Sequence, residues 1–194
     1  MTRKQALELL HDNMRNQNLR RHCYAVEAVM RALYRRLEDH HQTQEEEDRW
    51  GIAGLLHDAD YELTKGGPKS EHTKHVLKWI KEVEAEMDIY DAVAAHAWGF
   101  VDGAPQPKTM MQWALYTCDE LTGLIVAVAL VKPDKKLASV TVDSVMKKWN
   151  SPSFAAGVNR EQIKECESRL NIPLREFVEI ALSAMQGIHE DLGL

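Results

Sequence analysis

The sequence predicts an all-α fold, a single-domain helical bundle that ends in a C-terminal helical extension. Apolar residues recur at spacings of three and four along most of the chain, and no segment shows the alternation typical of a β-strand. A chain of 194 residues, 44% hydrophobic and 28% charged, has the size and composition of one globular domain. We therefore predict one domain over residues 1–194, with its core at about 18–131 and its extension at about 140–194.

Capping residues and helix breakers set the order of the helices. Thr2, with Gln5 three residues later, is typical of a capping box, and Ser70 is a suitable N-cap after the breaker Gly66-Gly67-Pro68. The polar, acidic segment 40–47 predicts a loop and the start of a helix. The predicted helices cover residues 2–14, 18–39, 47–57, 70–87, 90–97, 109–130, 142–149, 159–170 and 173–189.

Charge and cysteine content exclude some functional classes. The formal net charge of −6 argues against a protein that coats nucleic acid, but it allows a small phosphorylated ligand, which needs only a local basic pocket. The three cysteines Cys23, Cys118 and Cys166 are far apart, so we expect reduced, buried thiols in a cytoplasmic protein. The longest apolar stretch, at about 121–131, is half a membrane span, so we expect a buried helix and no membrane partner. The oligomeric state is left open.

Four polar residues stand where helical periodicity predicts a buried face. His22 precedes Val26 by four residues, His57 follows the apolar end of the third predicted helix, and Asp119 lies inside a strongly apolar helix. Asp58 is the direct neighbour of His57. A buried carboxylate is costly unless it is paired or binds a metal, so these side chains are expected to meet in the bundle core.

The chemistry of these four residues suits a transition metal. Imidazole nitrogens and carboxylate oxygens bind Fe, Mn, Co, Ni or Zn, and two His with two Asp leave coordination positions open for water and substrate. Such a site can generate a nucleophile from water near neutral pH. Each residue also has a structural interpretation: a lone His on an apolar face is often hydrogen-bonded in the core, and Asp58 alone could bond a loop. The four together favour a divalent metal.

The order His22, His57-Asp58, Asp119 resembles the HD superfamily of metal-dependent phosphohydrolases. The segments LLHDADYE (55–62), CDELTGL (118–124) and ALVKP (129–133) look like a small, uncharacterised bacterial subgroup, as does FAAGV (154–158) after Lys147-Lys148. The resemblance covers nearly the whole chain and implies that His22, His57, Asp58 and Asp119 bind metal.

The resemblance leaves the metal count open. In two-metal members, two further histidines lie between the HD pair and the last Asp, and here His72 and His96 occupy that interval. Asp58 would then bridge two ions. His75 competes with His72 for this role, and the alternative is that His72 and His96 only line the pocket.

The sequence also departs from well-known branches of the family. Many members have Gly-Lys soon after the HD pair, where this chain has Ala59-Asp60. The Gly-Tyr-Pro element of the cyclic-dinucleotide branch is absent, and the acidic pair of the alarmone-hydrolase branch is split here by Tyr61. The substrate is therefore open.

Further residues are candidates for catalysis and substrate binding. Asp58, Asp60 and Glu62 are the candidate catalytic carboxylates, although Asp60 could simply bond the loop backbone. Basic residues near the motifs are candidate phosphate contacts or solvated surface charges: Arg20, Arg21 and Lys132, with Lys65, Lys69, Lys135 and Lys136 as others. Trp98 and Trp113 are expected either to line the pocket or to pack in the core.

Three functions are compatible with these residues. The leading hypothesis is a phosphohydrolase that uses a metal-activated water on a small phosphate ester or nucleotide. The second is a mixed-valent di-iron oxygenase on the same helical frame, with the extra histidines as ligands. The third is a non-catalytic sensor or partner-binding module that a metal stabilises.

Overall fold

The computed structural model describes residues 1–38 and 42–194, with Ser70 described only in its main chain. Its described residues contain α-helices, two short 3₁₀ turns and no β-strand, so the predicted all-α fold is confirmed. The helices are α1 Arg3–Asn13, α2 Gln17–Leu37, α3 Gln44–Leu56, α4 Tyr61–Thr64, α5 Lys74–Glu82, α6 Met87–His96, α7 Met110–Leu130, α8 Val142–Trp149, α9 Arg160–Arg169, α10 Leu174–Gly187 and α11 His189–Leu192. The 3₁₀ turns are Lys69–Glu71 and Leu137–Ser139.

Helices α2 and α7 form the centre of the bundle. Helix α2 packs against α3, α7 and α10, and α7 also packs against α6 and α9. The caps of both central helices are built locally: the Asn16 side chain accepts the first N–H groups of α2, and Thr109 with Gln112 forms a capping box on α7. The predicted capping box of Thr2 and Gln5 is also present.

Helix α3 approaches α2 closely at a glycine. A Cβ atom built on Gly54 would lie 2.9 Å from the Val26 carbonyl oxygen and 3.0 Å from the Glu27 backbone nitrogen. Real Cβ atoms are not found this near to backbone, so only glycine allows the observed distance between the two helices. This contact sets the position of the residues at the end of α3.

Helix α7 is long and apolar enough to cross a membrane, which the shorter apolar stretch in the sequence did not predict. Its 18-residue window of highest hydropathy has a mean of 1.4, and 67% of that window is buried inside the fold. A core helix has the same properties, and the neighbouring helices α2, α6 and α9 cover this one.

Several predicted boundaries need correction. Helix α2 ends at Leu37, and the predicted end at Asp39, like positions 40 and 41 of the predicted loop, lies outside the described residues. Ser70 lies in the 3₁₀ turn Lys69–Glu71, and α5 starts only at Lys74, after Thr73 with φ 67°. The helix predicted over 70–87 ends at Glu82 in the structure. A separate helix, α6, starts at Met87 rather than at the predicted position 90. Ile188 has φ −122° and ψ 24°, which is outside helical geometry. The last predicted helix is therefore split into α10 and α11.

Candidate metal centre

Three of the expected ligands meet between α2, α3 and α7. The Nε2 atoms of His22 and His57 lie 3.2 Å apart. Asp119 Oδ1 is 2.9 Å from Nε2 of His22 and 3.5 Å from Nε2 of His57. His57 is fully buried, whereas His22 and Asp119 are partly accessible. These three donor atoms are close enough to share one ion, and we call them the first trio.

A second group of donors lies beside the first. The Nε2 atoms of His72 and His96 are 3.1 Å apart, and both face Oδ1 of Asp58 at 3.6 and 3.5 Å. His72 follows the 3₁₀ turn before α5, and His96 is the last residue of α6. We call Asp58, His72 and His96 the second trio, which is also compact enough to hold one ion.

Asp58 lies between the two trios. Its Oδ2 atom is 3.8 Å from Nε2 of His22 and 3.7 Å from Nε2 of His57, while its Oδ1 atom faces the second trio. The two oxygens of one carboxylate therefore point toward two separate sets of donors. This is the orientation that a carboxylate shared by two metals requires.

Backbone and hydroxyl groups orient three of the imidazoles. Nδ1 of His57 donates to the Gly54 carbonyl at 2.8 Å, and Nδ1 of His96 donates to the Val93 carbonyl at 2.6 Å. The Thr122 hydroxyl donates to the Asp119 carbonyl at 2.8 Å, so its oxygen accepts from Nδ1 of His22 at 3.3 Å. With Nδ1 donating, each Nε2 carries its lone pair toward the centre, as in metal-ligating histidines.

The groups of the two trios shift one another's pKa values. Burial alone would raise the pKa of Asp58 and of Asp119, but the neighbouring imidazoles outweigh it and hold both values well below their usual range. Burial opposes the charged form of His57, yet the two carboxylates raise its pKa to about 9. Burial and the proximity of His96 lower the pKa of His72 to about 4.

The donor set fits divalent metals. Lone pairs of two imidazoles directed at each other across 3.2 Å, with a carboxylate oxygen beside them, repel unless a cation or a proton stands between them. The same holds for the second trio, where the nitrogens are 3.1 Å apart. Imidazole with carboxylate suits Fe, Mn, Co, Ni or Zn. The prediction that His22, His57, Asp58 and Asp119 converge is met by the geometry, and His72 and His96 join them.

A cavity of about 510 Å³ opens over the two trios. Its walls beyond the trios include four aromatic side chains, Tyr61, Trp98, Phe100 and Tyr116. Trp98 packs against Trp113 and Tyr116, so Trp98 faces the pocket while Trp113 supports it from the core. The size is that of a site for a small molecule.

Asp60 does not face the cavity, which corrects its assignment as a candidate catalytic base. Its side chain is fully buried and accepts the backbone N–H groups of Thr73 at 3.3 Å, His75 at 3.0 Å and Val76 at 3.2 Å. It therefore caps the start of α5, the alternative that the sequence left open. Burial raises the pKa of Asp60 despite these hydrogen bonds.

Glu62 is also placed away from the chemistry. Its Oε2 atom accepts the backbone N–H groups of Arg15 at 2.7 Å and Asn16 at 2.8 Å, just before α2. These hydrogen bonds lower the pKa of Glu62, and the one from Asn16 has the largest effect. Glu62 thus ties α4 to the start of α2, and it is not among the residues that line the cavity.

The basic residues proposed for phosphate binding do not line the cavity either. Arg20 donates to the carbonyl oxygens of Met14 and His11 at the end of α1. The guanidinium of Arg21 lies beside Gly193, near the carboxyl terminus. Lys132 follows α7, whose end is about 17 Å from Asp119 along the helix axis. Lys69 contacts the cavity wall from outside, because its Nζ lies 4.6 Å from the ring centroid of the cavity residue Phe100.

The competing histidine and the cysteines have no part in the two trios. His75 is half-exposed and stacks near Trp79, so His72 occupies the position between the HD pair and the last Asp. Cys23, Cys118 and Cys166 are free and buried, as expected. Burial raises the pKa of the Cys166 thiol to about 12.

Sequence reasoning missed part of the cavity wall. Glu120, Asn159 and Gln162 line it, and the last two come from the C-terminal extension. Glu120 adjoins the candidate ligand Asp119, and this was the one available signal for it. Asn159 stands at the start of the predicted helix 159–170, and in the structure it caps α9. Burial raises the pKa of Glu120, which accepts the Asn159 backbone N–H at 3.1 Å.

Comparison with known proteins gives one match. A family model described as HD domain matches residues 19–129, more than half of the chain. This range includes both trios and ends one residue before the end of α7. No curated protein and no solved structure matches.

Proposed function

Because this chain belongs to the HD domain family, we propose that it is a metal-dependent phosphohydrolase that acts on a small phosphate ester or nucleotide. The observation that carries the proposal is the position of Asp58, whose two carboxylate oxygens face two different groups of donors. His22, His57 and Asp119 would hold one ion, His72 and His96 would hold the other, and Asp58 would be shared.

The reaction is the displacement of an alcohol by water at phosphorus. A new P–O bond forms to the water oxygen, the P–O bond to the leaving group breaks, and the leaving oxygen takes up a proton, which gives an alcohol and inorganic phosphate. Divalent ions supply Lewis acidity, which makes water more acidic and offsets charge on phosphoryl oxygens.

The residues of the chain supply position and environment for this reaction. The hydrogen bonds from His57 to Gly54 and from His96 to Val93 hold the imidazoles in the orientation that a metal requires. Tyr61 and Trp98 would replace part of the water around a bound substrate with aromatic surface, because both line the cavity. Partial exclusion of water strengthens electrostatic interactions inside the cavity.

A substrate panel with defined metals tests the proposal. Full-length protein loaded with Mn, Fe, Co or Ni should hydrolyse at least one member of a set of phosphomonoesters, phosphodiesters and nucleotides. Asp58→Ala should abolish turnover and metal retention, whereas Asp143→Ala, at an exposed position on α8, should change neither. Turnover that survives Asp58→Ala, or none in any metal-loaded sample, would reject the phosphohydrolase. Stabilisation by metal in a silent panel would favour the non-catalytic module.

The second trio also favours a second candidate, a di-iron oxygenase. His72 and His96 face Asp58 at 3.6 and 3.5 Å, so a dinuclear centre is available to either chemistry. Iron-loaded protein that consumes oxygen in the presence of an organic substrate, with loss of this activity in His96→Ala, would support it. A stoichiometry of one metal per chain would exclude it and leave a mononuclear hydrolase.

A further inference from the structure

One part of the cavity wall comes from the segment of the chain beyond the family match. Gly157, Asn159 and Gln162 line the cavity, although the family model ends at position 129. Helix α9, which follows Asn159, packs along α7 and so lies beside the helix that carries Asp119. The metal ligands therefore belong to the family core, while this wall belongs to the C-terminal extension.

One arginine holds the wall in place. The guanidinium of Arg160 donates to six backbone carbonyl groups at 2.7–3.5 Å, those of Lys148, Trp149, Ser151, Phe154, Ala155 and Val158. These bonds close the loop between α8 and α9 around one side chain. The charged donor thus adds hydrogen bonds to carbonyl groups on both sides of the loop and stabilises its conformation.

Glu120 is fixed against this wall. Its Oε2 atom accepts the Asn159 backbone N–H at 3.1 Å, while the Gln162 side chain donates to the Tyr116 carbonyl at 2.7 Å. Among the described residues the Glu120 carboxylate has no other hydrogen bond, so Oε1 is left for a ligand. A carboxylate oxygen accepts hydrogen bonds, and the ligand group that binds it must donate.

The charges of the lining limit how many phosphates the cavity can hold. Asp58, Asp119 and Glu120 carry three carboxylates, and the described lining residues include no lysine or arginine. Two divalent ions would exceed these carboxylates by a single positive charge. One phosphate group carries a charge of about −1.5 to −2 at neutral pH, which exceeds this positive charge only slightly, whereas the charge of a triphosphate exceeds it strongly.

We propose that the cavity selects esters with a single phosphate whose leaving group carries hydroxyl or amino donors, and that Glu120 recognises these donors. This inference rests on the proposed phosphohydrolase function. Sugar phosphates and nucleoside monophosphates share the required chemistry, since both present hydroxyl groups. The aromatic side chains of Trp98 and Tyr116 provide surfaces on which a sugar or a base can stack.

The test compares substrates with and without donors. Manganese-loaded protein is given p-nitrophenyl phosphate, a pentose 5-phosphate, a nucleoside 5′-monophosphate and the matching triphosphate. We expect kcat/KM for the better donor-bearing monophosphate to exceed that for the triphosphate at least tenfold, and the two monophosphate arms identify which leaving group is preferred. Glu120→Gln should lower this kcat/KM at least tenfold more than it lowers that for p-nitrophenyl phosphate. Glu161→Gln, exposed on α9, is the matched control.

The outcomes separate this inference from the function on which it rests. Equal losses on all substrates in Glu120→Gln, or efficient triphosphate hydrolysis, would overturn the inference and leave the hydrolase intact. If no ester is hydrolysed, calorimetry decides: tenfold tighter binding of the monophosphate to the manganese-loaded wild type than to Glu120→Gln supports recognition by Glu120. Equal binding, or none, would overturn it.

Discussion

His72 and His96 point their Nε2 atoms at each other across 3.1 Å, although 24 positions separate them in the sequence. Both nitrogens also face Oδ1 of Asp58, so the second trio is assembled from three different segments. When both neutral rings carry their protons on Nδ1, the two Nε2 lone pairs repel each other at this distance. A bound ion would remove the repulsion, and the number of ions per chain is therefore the first quantity to measure.

We expect two metal ions per chain in the wild type and one in His96→Ala. The substitution removes one donor of the second trio, while the first trio keeps His22, His57 and Asp119. Elemental analysis of protein purified without chelator measures the count. His75→Ala is the control, because His75 lies outside both trios and is half-exposed. Two ions retained by His96→Ala would show that the second trio does not bind metal.

Sequence patterns predicted the helices and the convergence of the candidate ligands better than they predicted the supporting contacts. His22 and Asp119 were found because a polar residue on an apolar helical face is unusual, and this property is local. Asp60 was assigned to catalysis because it is close to the HD pair in sequence. The structure instead turns its carboxylate toward the backbone of Thr73 and Val76. Periodicity contains no information on which way a residue between two helices points.

The cavity wall was missed for a related reason. Asn159 and Gln162 lie about 40 residues from Asp119 in the sequence, and only the packing of α9 on α7 brings them to the cavity. The assignments of Arg20 and Lys132 failed in the opposite way. Each is near a motif along the chain, yet Arg20 bonds the end of α1 and Lys132 lies beyond the end of α7.

Asp60→Asn should weaken the second metal site by changing the position of His72. The amide replaces one acceptor oxygen by an NH₂ group, which opposes backbone N–H groups of His75 and Val76 or of Thr73. We expect a loss of about 1–3 kcal/mol in the free energy of unfolding and a 10–100-fold weaker second manganese site. The reason is that Asp60 Oδ1 lies 3.8 Å from Nδ1 of His72, and Asp60 also caps α5, which starts two residues after His72. Denaturant titration and metal titration measure the two effects. The exposed Asp12→Asn on α1 is the control, and an unchanged second site would contradict the positioning role of Asp60.

Glu62→Gln tests whether Glu62 is catalytic or structural, and it does so through pH. In the fold the hydrogen bonds from Asn16 and Arg15 lower the pKa of Glu62 below its ordinary value of 4.5. A lowered carboxyl pKa contributes stability that is present above 4.5 and is lost as the pH falls through the folded value. The wild type should therefore lose more thermal stability than Glu62→Gln between pH 5 and pH 3.

The same variant should keep its activity near neutral pH. Glu62 does not line the cavity, so we expect kcat/KM of Glu62→Gln to stay within about twofold of the wild type. A large fall in kcat with unchanged metal content would return Glu62 to the catalytic machinery. If both proteins lose the same thermal stability between pH 5 and pH 3, Glu62 does not tie α4 to α2.

Lys69→Met should slow the capture of anionic substrates. The Lys69 ammonium lies 4.6 Å from the centroid of the Phe100 ring, which lines the cavity, and its charge can attract phosphate toward the opening. We expect kcat/KM to fall about threefold at low ionic strength, with the difference lost in about 0.5 M salt because salt screens charge. Lys78→Met on α5, exposed and outside the cavity lining, is the control. A loss that is independent of salt would point to a direct contact instead of steering.

Gly54→Ala should damage the metal centre through helix packing alone. The added Cβ would lie 2.9 Å from the Val26 carbonyl oxygen, so α3 must move away from α2, and the Gly54 carbonyl that orients His57 moves with it. We expect a loss of about 1–3 kcal/mol in the free energy of unfolding and weaker metal binding at the first trio. Gly187→Ala is the matched control: nothing lies within 4 Å of its added Cβ, so it should stabilise the protein by about 0.4–1 kcal/mol and leave metal affinity unchanged. If Gly54→Ala instead behaves like Gly187→Ala in both measurements, the close approach of α3 to α2 is not what positions His57.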